Sequence, residues 1–350
     1  MSSSERLRLM RPRDFKGPIQ PMRVAVLSRY IRYVEAVGAP VERLLARSGI
    51  SAVLLGNPMA LVRQESATRF IDLAGRCLGT EHLGVQVGLA LMLDDLGPYG
   101  QMLYRSITLH EYMRKGIGCY DAMVTGQRIW LTAHGEELRF NVANLGQTGE
   151  TAYQTEMETL VPCLERCKEA AGPDWSPRVI SLGHRTRTTL PDVELFDGSR
   201  ILNGTGETYF TLPRTLLERR FPKVGDCEQV TDNSGCGLDH PLPNDLSGMV
   251  RVQIESFLRQ GTYQVDAIAE SLAISKRSLQ RLLAEQGLSY SQMLAEARQR
   301  LAIDWLENTD KTVGEIAFDL GYTDSSNFSR AFRREVGLTP QAFRGSSENG

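Results

Sequence analysis

The sequence predicts an α+β front domain followed by an all-α domain with two helix-turn-helix modules joined by a linker helix. Three observations predict it. The pattern VDAIAESLAISKRSLQRLLAEQGLSYSQML, from Val265 to Leu294, returns as VGEIAFDLGYTDSSNFSRAFRREVGLTPQAF, from Val313 to Phe343. A helix period fills the stretch between the copies. Ahead of them, helix-periodic stretches interleave with short runs of period two, the signature of a mixed sheet with packed helices.

The repeat is dense. Val265 matches Val313, Ile268 matches Ile316, Ala269 matches Ala317 and Leu272 matches Leu320. After a small shift at the turn, Leu279 falls on Phe328, Arg281 on Arg330 and Leu283 on Phe332. Such a pattern is one supersecondary unit used twice. In the first copy Ile268, Ala269 and Leu272 form the apolar stripe of a short helix, and Ser275 is placed to cap the next one. That second helix turns Leu279, Leu282 and Leu283 inward and Lys276, Arg277, Gln280 and Arg281 outward. In the second copy Asp324, Ser325 and Ser326 start the helix, and Phe328, Ala331 and Phe332 face inward. Asn327, Ser329, Arg330, Arg333 and Arg334 are left for solvent or a partner. The outward types suit DNA: Arg grips guanine edges, Gln and Asn grip adenine, and Ser and Lys hold phosphates. An exposed arginine is as readily a solvated surface group, so the pattern weighs more than any single residue.

The linker helix is expected over roughly Ser289 to Asn308, with Met293, Leu294, Ala297, Leu301, Trp305 and Leu306 on its apolar face. About 18 residues at 1.5 Å each make it about 27 Å long. Together with the width of each module, that is the right order for two helices entering major-groove segments about 34 Å apart. The two modules and their linker predict that the segment from about Met249 to Arg344 binds DNA alone.

Residues 1–20 are expected to be a flexible tail, 21–222 the front domain, 223–247 a linker rich in Gly, Pro, Asp and Asn, 248–345 the double helix-turn-helix domain and 346–350 a tail. Within the front domain, helices are expected at Val24–Val37, Ser66–Leu78, Glu81–Leu91 and Thr151–Ala171, and one starts at a Thr108–Glu111 capping box and runs to about Val124. Ile129–Leu131 and Leu138–Val142 read as a β-hairpin, with further strands at Arg178–Leu182, Ile201 and Glu207–Leu212.

Composition bounds the function. The 350 residues are 41% hydrophobic and 23% charged, with a net charge of −2, so any nucleic-acid footprint must be local. Residues 251–344 carry twelve basic and twelve acidic side chains, and the cations cluster on the two outward helix faces. No apolar run approaches twenty residues and no signal-peptide pattern follows Met1, which points to the cytoplasm. The six cysteines form no disulfide framework expected in that compartment. Cys163 and Cys167 stand one helical turn apart and are candidates for a redox pair; buried, inert thiols are the simpler reading. Cys227, Cys236 and His240 match no zinc spacing, so no metal and no cofactor are expected. His82, His110, His134 and His184 are candidate ligand contacts or structural histidines. There is no nucleophile elbow, and Leu202–Glu207 (LNGTGE) lacks the helix and lysine of a phosphate loop, so an enzyme with a DNA-targeting tail is disfavoured.

The rear segment resembles the DNA-binding domain of the AraC/XylS family of bacterial transcription regulators. SKRSLQRLL, Arg298, Ala302 and Leu306, IAFDLGYTDSSNFSRAFRREVG and the closing GLTPQAFR carry the likeness, from about Arg251 to Arg344. Leu96–Leu103, Thr108–Met113, the hairpin and Phe210–Pro213 resemble, more loosely, the ligand-sensing domain of one branch of that family. The resemblance implies a sequence-specific regulator of promoter DNA, an activator that contacts RNA polymerase. It implies control through the front domain by a small effector, by homodimerisation, or both. A redox-responsive regulator using cysteines remains an alternative. The resemblance names no effector and no effector-binding residues.

Overall fold

The computed structural model describes residues 19–90, 92–145, 149–187, 189–222, 238 and 241–347. They fall into two compact units. One joins Gln20–Ser48 to Arg63–Leu242; the other joins Gly49–Val62 to the chain from Pro243 onward.

The first unit is the expected mixed α+β domain. Its helices are α1 (Val24–Ala36), α2 (Val41–Ser48), α3 (Gln64–Leu78), α4 (Leu83–Leu89), α5 (Pro98–Tyr104), α6 (Leu109–Cys119) and α7 (Glu150–Ala171). Its sheet holds β1 (Gln127–His134), β2 (Glu137–Asn144), β3 (Val179–Leu182), β4 (Arg200–Asn203) and β5 (Thr208–Pro213) in the order β1-β2-β5-β3-β4. All pairings are antiparallel except β3 with β4. The hairpin register sets Leu131 opposite Phe140, and Phe140 lies opposite and stacks on Phe210 with ring centroids 5.3 Å apart. Helix α7 packs on β2, β5 and α4. Gly84 makes the last contact possible: a Cβ there would lie 1.9 Å from the Gln154 carbonyl oxygen. The Thr108 cap forms, its Oγ1 accepting from Glu111 N–H at 3.2 Å. Glu111 reaches back one residue further than expected, to the N–H of Ile107 at 2.9 Å.

The second unit is all-α apart from the Gly49–Val62 segment. Helix α8 (Leu246–Leu258) precedes the repeat, capped by Asp245, whose Oδ1 accepts from Gly248 N–H at 2.7 Å. It therefore starts inside the stretch expected to be linker. Then come α9 (Val265–Ser271), α10 (Lys276–Ala284), α11 (Tyr290–Asn308), α12 (Val313–Asp319), α13 (Ser325–Val336) and α14 (Pro340–Ser347). The linker helix matches its expected span, with Ser289 as its cap. Arg259–Asp304 at 3.1 Å, Arg300–Glu255 at 2.5 Å and Arg251–Glu296 tie α8 to α11.

The front domain is not the continuous 21–222 block expected from the sequence, because Gly49–Val62 groups with the rear helices. The reason is local. Ile50, Leu54, Ala60 and Leu61 bury their side chains almost completely, and the turn Ala52–Leu54 lies against α9. The backbone polar groups of Gly56 and Leu61 are met by Gln260 and Gln253. Of the expected linker, residues 223–237, 239 and 240 lie outside the described residues, as do residues 1–18 of the expected front tail and 348–350 of the rear one.

Candidate nucleic-acid interface and effector cavity

The two modules present the same face by the same construction. In the first, α9 supports the turn Leu272–Ile274, and Ser275 caps α10 by accepting from Ser278 N–H at 3.1 Å. Ala273 takes a positive φ of 54°, a conformation that favours glycine. In the second, α12 supports the matching turn, where Gly321 has φ 74°, and Asp324 caps α13 through Asn327 N–H at 2.7 Å. Helix α12 carries its own capping box, Thr312 with Glu315, and these bonds hold the Glu315 carboxyl below the ordinary carboxylate range.

The expected outward residues of α10 are outward. Ser275, Lys276, Arg277, Gln280 and Arg281 are all exposed. Lys276 pairs with Asp266 at 3.0 Å and Arg281 stands 3.8 Å from Glu285. Among the described residues, Arg277 and Gln280 have no hydrogen-bond or ion-pair partner and are free to engage a ligand. On α13, Ser325, Arg330, Arg333 and Arg334 are exposed, while Asn327 and Ser329 are half-buried. Arg334 pairs with Glu335 at 2.8 Å. Asn327 is occupied: its Nδ2 donates to Asp324 at 2.6 Å and Thr323 at 3.0 Å, and its Oδ1 accepts from Arg330 at 2.5 Å. It aims the Arg330 guanidinium rather than standing free beside it. Most of these exposed ion pairs contribute little to stability and are readily exchanged for phosphate.

Two arginines that sequence reasoning used only as family markers hold the second module in place. Arg298 on α11 donates to the Leu320 carbonyl at 2.8 Å and lies over the rings of Tyr263 and Tyr322, at 4.9 and 5.0 Å from their centroids. Arg344 donates to the carbonyls of Leu306 at 3.2 Å and Lys311 at 2.6 Å. Their sequence signal was position: each stands where a carbonyl-rich helix end must be satisfied.

The first unit holds a small, partly open cavity between α1, α5, α6, α7 and the start of β1. Its volume is about 50 Å³. Val26, Leu93, Leu96, Leu103, Met123 and Ile129 form its apolar wall; Arg29, Glu158, Thr159, Cys163 and Tyr99, Tyr112 and Tyr120 form its polar one. Arg29 and Glu158 are a buried ion pair, 8% and 2% exposed. Burial lowers the Arg29 pKa and pushes the Tyr120 hydroxyl up to about 12. Tyr120 bonds Gln127 and Thr159 behind the cavity. Burial also pushes the Cys163 thiol up to about 12 and raises Cys167 well above its ordinary value, so both are held as thiols.

None of the four candidate histidines lines this cavity. His82 is buried and its Nδ1 bonds the Tyr153 hydroxyl at 2.7 Å, and burial lowers its pKa. His184 stands 3.7 Å from Glu156; His110 and His134 are exposed. Sequence reasoning missed Arg29 and Glu158, although Arg29 is a charged residue within an otherwise apolar helix face. Among the described residues no cluster of three or more His, Cys, Asp or Glu could hold a metal ion; Cys227, Cys236 and His240 lie outside them. Among the described residues no helix is long and apolar enough to cross a membrane.

Comparisons with known proteins fall on both units. A family model described as a helix-turn-helix domain matches residues 268–346. Another, described as the arabinose-binding domain of AraC transcription regulator, N-terminal, matches residues 38–221. An HTH-type transcriptional regulator of Mycobacterium tuberculosis, itself described as uncharacterized, is 42% identical over 322 residues, which cover 87% of this chain and 91% of that protein. The ornithine utilization regulator of Pseudomonas aeruginosa is 40% identical over 142 residues, covering 39% of this chain and 41% of the regulator's length. Among solved structures, the transcriptional regulator CdpR of Pseudomonas aeruginosa is 20% identical, with a TM-score of 0.36 over 89% of this chain and 98% of that one.

Proposed function

The chain belongs to the AraC family of helix-turn-helix transcription regulators, and we propose that it reads two adjacent major-groove segments of promoter DNA with α10 and α13. It is a sequence-specific DNA-binding regulator with an N-terminal ligand domain. The observation that carries the finer reading is the matched presentation of the two helices, each leaving a capped N-terminus and exposed basic groups facing outward, with Arg277 and Gln280 of α10 unpaired. Arg277 and Gln280 contact bases on α10, with Ser275, Lys276 and Arg281 on the flanking phosphates. On α13, Arg330, aimed by Asn327, contacts a base; Ser325, Ser329, Arg333 and Arg334 hold the backbone. The protein works in the cytoplasm as a homodimer, activates by contacting RNA polymerase and has no catalytic activity of its own.

The effector seats in the cavity of the first unit. The lining favours a small ligand with an apolar body and no net charge: Arg29 and Glu158 neutralise each other, and a further buried charge would have no counter-ion. The raised thiol pKa values favour this effector reading over a cysteine-based redox switch.

A mobility-shift assay with the full chain on its own promoter region, at two salt concentrations, tests the DNA reading. A specific shift is expected, and its loss of base preference in Arg277→Ala and Gln280→Ala assigns α10. Unchanged base preference in both variants refutes that assignment. Sedimentation of the full chain at micromolar concentration tests the dimer; a monomer refutes it.

A further inference from the structure

We propose that residues 49–62, from the front half of the sequence, are a positioning element of the first reading helix, and that Gln253 is the residue through which they act. The proposal rests on α10 reading DNA as described above. Gln253 lies on α8 with no exposed surface. Its Oε1 accepts from the Leu61 N–H at 2.7 Å, and its Nε2 donates to the Leu61 carbonyl at 3.0 Å. One side-chain amide thus pairs with a backbone residue as a neighbouring strand would. The same Nε2 donates to Ser271 Oγ, the last residue of α9, at 3.0 Å. Ser271 in turn donates to the Ile268 carbonyl at 2.8 Å.

Further bonds fix the segment along its length. Ser256 on α8 donates to Asn57 Oδ1 at 2.6 Å, Gln260 to the Gly56 carbonyl at 2.8 Å, and Ser51 to Glu270 on α9 at 2.8 Å. A buried glutamine costs stability unless every polar atom is satisfied; here both ends are, and directed bonds set register in a way apolar packing does not. The segment is therefore held in one alignment against α8 and α9.

The alignment matters because Ser271 leads directly into the reading helix. The turn Leu272–Ile274 and the cap Ser275 come next, and then α10 with Lys276, Arg277 and Gln280 on its exposed front. Three residues, the turn Leu272–Ile274, separate the Gln253 tie at Ser271 from the cap, and that turn holds Ala273 at a positive φ of 54°. A displacement at Ser271 is passed to the reading helix with little slack. Among the described residues the second module has no such device: Asp319, which matches Ser271 in the repeat, pairs with Lys311 at 2.7 Å on the surface. The 49–62 segment is also continuous with the ligand-binding unit at both ends, through Ser48 and Arg63.

The test uses the full chain and a cognate site obtained by selection from random DNA. Gln253→Leu and Ser271→Ala are compared with the unaltered protein for thermal melting, affinity, and discrimination against single-base changes in each half of the site. Gln253→Leu removes the pairing with Leu61; Ser271→Ala leaves that pairing and cuts the tie to α9 together with the local bond to the Ile268 carbonyl. Gln253→Leu is expected to weaken binding about tenfold and Ser271→Ala about threefold. In both, discrimination should relax in the half read by α10 and persist in the half read by α13. Equal loss in both halves, or unchanged discrimination in Ser271→Ala whether or not Gln253→Leu folds, overturns the proposal. Arg277→Ala run alongside separates the two failures: if it too leaves the first half unchanged, the assignment of α10 has fallen, and the positioning role falls with it.

Discussion

The two helix-turn-helix modules are one pattern stabilised in two ways. The first is aliphatic: Leu279, Leu282 and Leu283 fill its core, and α10 spans nine residues. It is braced from outside the repeat, by α8 and the 49–62 segment. The second is aromatic. Phe328 and Phe332 lie 5.8 Å apart, with Tyr322 and Phe343 continuing the cluster at 5.5 and 5.6 Å. It is braced by its neighbours in sequence, through Arg298, Arg344 and α14. Topology therefore does not dictate the source of stability. A repeat can keep its outward face while its supporting contacts diverge.

Matched truncations should break this comparison most sharply. Phe332→Ala should cost about 3–5 kcal/mol, since a fully packed aromatic leaves a large cavity, and Leu283→Ala at the matching position about 2–5 kcal/mol. Denaturant unfolding of the two variants checks this. Loss of the Phe332 ring should abolish binding to the half-site read by α13 first. The turns give the next contrast. A Cβ at Gly321 would lie 2.2 Å from the Tyr263 ring, so Gly321→Ala should destabilise by about 1–3 kcal/mol through strain and crowding. Ala273→Gly should change stability by less than about 1 kcal/mol, because relief of the positive φ offsets the lost buried methyl. Thermal melts that shift equally in both variants would show that the turns are equivalent after all.

Binding measurements refine the comparison on its outward face. Arg277→Ala and Gln280→Ala should each cost about 1–3 kcal/mol on the cognate site and relax preference at one base position. Lys276→Ala and Arg334→Ala should weaken all sequences alike and flatten the salt dependence by about one unit of slope. Affinities at two salt concentrations, on cognate and single-base variant sites, separate the two classes. The cap replacements should have modest effects. Ser275→Ala and Asp324→Ala should each cost about 1 kcal/mol of stability. Asp324→Ala should also weaken binding beyond that loss, because Asp324 anchors Asn327 and, through it, Arg330. Equal binding losses in the two cap variants would argue that Asn327 does not aim Arg330.

The repeat, the capping residues and the outward faces of α10 and α13 were legible in the sequence, as were the hairpin and the linker helix, because each is set by local period and cap chemistry. Ser289 to Asn308 was expected as a helix and Tyr290–Asn308 forms one behind its Ser289 cap. Less of the candidate site could be read. Asn327 looked free by type and spacing, yet its amide is committed to Thr323, Asp324 and Arg330, a choice made by side-chain rotamers. Helix α2 passed unnoticed because its eight residues span about two turns, too short a stretch for a helical period to stand out.

What the sequence by itself determined is the order of elements, the duplication and the face each reading helix turns outward, all consequences of spacing within a few residues. Only the tertiary structure decided that Gly49–Val62 belongs with the rear helices, that Arg29 meets Glu158 in a cavity, and that Gln253 joins Leu61 to Ser271. Those contacts bring together groups as far as 219 positions apart. No local period encodes such a meeting, because burial and hydrogen-bond satisfaction are settled only when the whole chain has packed.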